Sequence, residues 1–112
     1  MAEDYPAEPV SEPKDQACLK VLVRAYRVTG RVQGVGFRWF TSRVAKELDI
    51  SGTVQNHPDG SVRVHAKGAP ALLDQLEARI GRGPAAARVE AVESMEPSQV
   101  VKTGGFRIER TQ

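Results

Sequence analysis

Across residues 19–28 the apolar side chains of Leu19, Val21, Val23 and Ala25 alternate with Lys20 and Arg24, and Tyr26 to Val28 continues the two-residue rhythm; the pattern predicts a strand. The rhythm then changes. Phe40, Val44, Ala45 and Leu48, led in by Phe37, recur at helical spacing, so an amphipathic helix is expected to end near Asp49. Residues 52–56 and 61–66 are two short β-prone runs, joined by His57-Pro58-Asp59-Gly60, whose Pro-Asp-Gly chemistry suits a hairpin. Gly68-Ala69-Pro70 opens a second helix with the buried stripe Leu72, Leu73, Leu76 and Ile80, stopped by Gly81, Gly83 and Pro84. Val89, Ala91, Val92 and Met95 predict a further strand. Phe106 and Ile108, alternating with Arg107 and Glu109, predict a short edge strand.

The resulting order, β-α-β-β-α-β with a short terminal strand added, is the split βαβ arrangement, in which one sheet face is buried under both helices. The expected fold is therefore a ferredoxin-like α+β sandwich with an antiparallel sheet. At 112 residues the chain is long enough for one such domain with a single core.

Charge divides the chain unevenly. Residues 1–17 carry five acids and one lysine, a net of −4, so the formal +2 of the whole leaves +6 on residues 18–112. With three prolines and few large apolar side chains, residues 1–17 are expected to be a disordered acidic leader, and residues 18–112 the folded domain. A basic domain suits an anionic ligand. The lone Cys18 has no partner for an internal disulfide, and the N-terminal residues lack the basic and apolar regions of a signal peptide. A cytoplasmic protein is expected.

The chemistry concentrates in Gly30-Arg31-Val32-Gln33-Gly34-Val35-Gly36-Phe37-Arg38, between the first strand and the first helix. Such a turn lets several backbone N–H groups converge beside a helix N-terminus, whose unpaired donors and dipole favour an anion. Arg38 adds a permanent charge and a planar fork matched to two phosphate oxygens. A Walker A loop is excluded, because Gly36 is followed by Phe37 and Arg38 rather than Lys and Ser or Thr. A dinucleotide fingerprint is also unsupported, since the glycines are not spaced G-x-G-x-x-G. In the split βαβ plan the end of the second strand approaches this first loop, and Asn56 stands there. Its amide offers an acceptor and donors that can hold and aim a water without removing a proton.

The glycine segment resembles the acylphosphatase signature G-x-V-Q-G-V-x-F-R at every fixed position. Gly52-Thr53-Val54-Gln55-Asn56, followed by Asp59-Gly60-Ser61-Val62, is similar to the second signature of that family, except that Thr53 stands where an aromatic residue is usual. The resemblance spans roughly residues 19–109. It implies hydrolysis of acyl phosphates to a carboxylate and inorganic phosphate, with Arg38 binding phosphate, Asn56 orienting water, and Gln33, Gly34, Val35, Gly36 and Phe37 forming the backbone cradle. Thr53 would affect packing or the acyl pocket. The substrate is then a small-molecule acyl phosphate, with inorganic phosphate as product and inhibitor. Neither a cofactor nor a metal is expected, because His57 and His65 lack the Cys, Asp or Glu clustering of a metal site. His57 and Asp59 are read as turn residues.

The alternative, a non-catalytic ferredoxin-like module binding RNA or a protein partner, fits less well, and intact Arg38 and Asn56 argue against an inactive homologue kept as an interaction domain. A ferredoxin-like module that binds RNA would present stacked aromatics on a central strand, whereas Phe37, Trp39 and Phe40 fall on the turn and first helix. Similar domains begin larger carbamoyltransferases of hydrogenase maturation, but no CxxC zinc modules follow before Gln112, so a free-standing domain is expected. Neither a membrane nor a nucleic-acid partner is expected. Edge strands permit self-association, but a monomer is the expectation.

Overall fold

A computed structural model describes residues 21–110; the expected leader and the first residues of the first predicted strand lie outside them. The elements are β1 (Leu22–Arg31), α1 (Phe37–Glu47), β2 (Ser51–Asn56), β3 (Val62–Gly68), α2 (Pro70–Arg82), β4 (Arg88–Met95) and β5 (Phe106–Ile108). Five strands of the described residues form one sheet in the order β4-β1-β3-β2-β5. The split βαβ plan is therefore present, with β1 and β3 as central neighbours and β2 paired with β3 across the hairpin.

Side-chain alternation places Tyr26 and Val28 of β1 opposite Val64 and Val62 of β3, and Val54 of β2 opposite Val64. These residues form a continuous apolar face. Phe37, Val44 and Ala45 of α1 and Leu73, Leu76 and Ile80 of α2 bury it, and all belong to one core cluster. Pro70 opens α2 as expected, but Gly81 lies inside that helix and Gly83, in the left-handed region at φ 68°, ends it.

Two differences from the sequence-based expectation bear on the site. First, β1 continues past Val28 to Arg31, because its last residues pair with β4 after a register shift at Thr29/Gly30. Gly30 is needed there at φ 118°, where a Cβ would stand 2.2 Å from the Arg88 carbonyl oxygen. Second, the sheet is mixed: β5 runs parallel to β2, with Val54 opposite Ile108. The strand directions explain why. The chain leaves β4 at the end of the sheet where β2 begins, and residues 96–105 carry it to the far edge, so β5 starts beside the start of β2. The parallel sense brings Ile108 and Glu109 to the end that holds Asn56 and the glycine turn.

Residues 98–101 also pack on the sheet face away from the helices. Ser98 donates its N–H to Nε2 of His65 at 3.1 Å, Gln99 Nε2 donates to Thr53 Oγ1 at 2.7 Å, and Val101 is buried. His65 is itself buried. Burial pushes its pKa below 6.5, with nearby Glu109 opposing the shift and His57 and Arg63 adding to it. Protonation would also remove the acceptor that Ser98 uses. The unfolded chain takes up this proton near 6.5 and the folded chain only at lower pH, so the contribution to stability is complete above 6.5 and is lost as pH falls below it. His57, also lowered chiefly by burial, acts in the same direction. The urea midpoint is expected to drop between pH 8 and pH 5, and the drop should shrink in His65→Gln; a pH-independent midpoint would contradict the assignment.

Candidate active site

The turn between β1 and α1 is held down by its apolar residues and tied sideways by its polar one. Val32 and Phe37 are buried in the core, and Val35 packs against it. Gln33 Nε2 donates to the carbonyl oxygens of His57 at 2.7 Å and Ser61 at 2.9 Å, joining the turn to the β2–β3 hairpin. The hairpin is braced by Asp59, whose Oδ1 accepts from the Ser61 N–H and hydroxyl and whose Oδ2 accepts from Arg27 and Arg63. The two bonds from Ser61, with the arginines in support, hold the Asp59 carboxyl well below the usual carboxylate range. It is ionised at any working pH and has no proton to give.

With 32, 35 and 37 turned inward, Gly34 and Gly36 are left on the surface at φ 74° and 78°, and a Cβ on either would enter open space. Gly36 is the N-cap of α1. The helix has no side-chain cap and no acid in its first turn, so among the described residues its leading N–H groups have no side-chain acceptor and its dipole is uncompensated. Arg38 stands in that same first turn, where the macrodipole disfavours a cation by about 0.3–1 kcal/mol. An anion at this position would offset both effects.

Gly34, Gly36, Phe37, Arg38 and Asn56 line a single concavity of about 200 Å3 with Val32, Trp39 and Ile108. Arg38 Nη1 donates to the backbone carbonyl of Glu109 at 3.0 Å, and among the described residues Arg38 enters no ion pair. A single neutral contact thus aims the guanidinium while leaving its other donors available. Asn56 is buried, and among the described residues its Oδ1 has no hydrogen-bond partner. A buried acceptor without a partner costs about 1–3 kcal/mol, and such groups are concentrated where a ligand completes them. A half turn of the amide presents either its acceptor or its donors to the concavity.

Of the residues expected from the sequence, Gly34, Gly36, Phe37, Arg38 and Asn56 meet at one concavity, whereas the side chains of Gln33 and Val35 face the hairpin and the core. Gln33 acts as a tie for the turn. Thr53 stands on the other face of the sheet, bonded to Gln99 beside a separate cavity of about 350 Å3, and it does not line the concavity of Arg38. Trp39, Ile108 and the Glu109 carbonyl were not singled out by sequence reasoning. The last two arrive through the parallel β5 pairing, which no local pattern signals.

Comparison with known proteins matches the acylphosphatase family over residues 24–108. The chain belongs to the acylphosphatase family. It is 48% identical over 84 residues to an acylphosphatase of Salinibacter ruber, covering 75% of this chain and 88% of that protein. It is 46% identical over 88 residues to one of Koribacter versatilis, covering 79% and 80%. Among solved structures, the acylphosphatase of Bacillus subtilis superimposes with a TM-score of 0.73 at 29% identity, covering 80% of this chain and 99% of that one. Family membership accounts for both signatures and for the sheet order. It does not favour an RNA-binding sheet, and in the fold Tyr26 is buried in the core while Trp39 stands on α1. No helix among the described residues is long and apolar enough to cross a membrane, and they contain no cluster of His, Cys, Asp or Glu arranged to hold a metal ion.

Proposed function

We propose that this protein hydrolyses acyl phosphates to a carboxylate and inorganic phosphate, and that the concavity lined by Arg38 and Asn56 is the catalytic site. The observation that carries this reading is the meeting, in an acylphosphatase-family chain, of an arginine outside any ion pair, a helix N-terminus without a side-chain cap and a buried amide oxygen without a hydrogen-bond partner among the described residues, all at one concavity. The phosphoryl group lies against the backbone N–H groups of residues 33–37, with Arg38 neutralising its equatorial oxygens. Asn56 holds a water and directs it at phosphorus, in line with the departing oxygen. The new P–O bond forms as the bond to the acyl oxygen breaks, and the electron pair leaves with the carboxylate.

The water's proton passes to a phosphate oxygen. Neither side chain of the neighbouring turn is placed to take it: Asp59 is saturated with donors, and neither Asp59 nor His57 lines the concavity. No general acid is required either, because a carboxylate is a stable leaving group. Phosphoryl transfer then depends on position and charge stabilisation, which these residues supply. Inorganic phosphate, the product, fits the same cradle and inhibits. In this reading the enzyme acts as a monomer in the cytoplasm and needs no cofactor.

The test is hydrolysis of benzoyl phosphate by the full chain in the presence of EDTA. Turnover that is unaffected by the chelator is expected. Activity that disappears on chelation and returns with a divalent cation would refute the metal-independent mechanism.

A further inference from the structure

We infer that Trp39 and Ile108 form the acyl-recognition surface of this concavity and select acyl phosphates whose acyl group is aromatic; the inference rests on the hydrolase reading of the same site. The lining divides into two kinds. Gly34, Gly36, Arg38 and Asn56 present polar groups or bare backbone, whereas Val32, Phe37, Trp39 and Ile108 are apolar. Val32 and Phe37 are buried and belong to the core, but Trp39 is 62% exposed and Ile108 45% exposed. A single exposed apolar residue needs no explanation. Two on the wall of one concavity, beside the groups that grip phosphate, form an apolar surface where the rest of the substrate must lie.

The two residues come from unrelated parts of the chain. Trp39 follows Arg38 directly on α1, so fixing the guanidinium also fixes where the indole starts. Arg43, one turn further along the helix, stacks its guanidinium carbon 5.0 Å from the indole centroid and restrains the ring. Such restraint lowers the entropic cost of stacking a ligand ring on it. Ile108 reaches the concavity at the end of β5, two residues past Phe106, which anchors that strand in the core. An acyl phosphate held by its phosphoryl group leaves its acyl substituent at the mouth, against these two side chains. A planar ring gains aromatic contact there that a methyl group cannot make. Thr53, on the opposite face of the sheet, has no access to this surface.

Trp39 is the only tryptophan of the chain, so its fluorescence reports the contact directly. Titration with benzoylphosphonate, a non-hydrolysable aromatic analogue, is expected to change the emission more than saturating inorganic phosphate does. In kinetics, the ratio of kcat/KM for benzoyl phosphate to that for acetyl phosphate is expected to fall about tenfold in Trp39→Ala and severalfold in Ile108→Ala, with Trp39→Phe keeping most of it. Neither side chain is buried, and a urea midpoint for each variant confirms folding. A ratio that stays constant in both alanine variants, or an emission that benzoylphosphonate and phosphate alter equally, would overturn the inference. Wild-type protein that binds benzoylphosphonate with an emission change but hydrolyses neither acyl phosphate would refute the hydrolase reading and support the aromatic surface.

Discussion

Arg38→Ala is expected to lower kcat on benzoyl phosphate by about 10²-fold or more and to weaken inhibition by inorganic phosphate at least tenfold. Both effects come from the same donors. Among the described residues the guanidinium is aimed by one bond to the Glu109 carbonyl and enters no other, so its remaining N–H groups bind phosphate in the ground state and hold the charge that develops on the equatorial oxygens in the transition state more strongly still. Arg38→Lys should recover charge without the planar fork and therefore only part of the activity. Stability should not fall, since the substitution removes a cation from the positive end of α1. Steady-state kinetics with phosphate as competitor, together with urea denaturation, check these points. A variant that loses activity but retains the phosphate inhibition constant would place Arg38 outside the phosphate cradle.

Asn56→Ala is expected to lower kcat by a similar factor, about 10²-fold or more, while inhibition by phosphate stays within about twofold. The asymmetry between the two variants is the informative quantity. Asn56 is assigned to the attacking water, which inorganic phosphate does not require, whereas Arg38 is assigned to the phosphoryl group that substrate and inhibitor share. Loss of stability should be small for a buried polar residue, because Oδ1 has no partner among the described residues and its removal relieves an unsatisfied acceptor. If Asn56→Ala weakened phosphate binding as strongly as Arg38→Ala, the amide would be a phosphate ligand and the water would need another guide. Equal losses of kcat and stability would instead mark a purely structural residue.

Much of the site was legible in the residues because its chemistry is carried by short, local features. The glycine turn announces itself through the backbone conformations it requires: Gly34 and Gly36 both take positive φ, and Gly30 allows a close approach to β4. Arg38 and Asn56 stand at the ends of elements whose periodicity marks them, so the split βαβ order brings them together once the sheet forms. The ties were less accessible. Gln33 belongs to the recognised signature, yet its side chain bridges to two carbonyls on the hairpin, a contact spanning more than twenty residues that no pattern within the turn specifies.

The sequence by itself determined the element types, the order of the four long strands and two helices, and that Arg38 and Asn56 fall at element ends which the split βαβ order brings to one concavity, because alternation, helical spacing and turn chemistry act within a few residues of one another. Tertiary structure alone decided that β5 lies parallel beside β2, that residues 98–101 cover Thr53 and His65, and that Ile108 and the Glu109 carbonyl reach Arg38. Those outcomes depend on where the chain leaves β4 and which sheet edge remains unpaired, and both are properties of the assembled sheet.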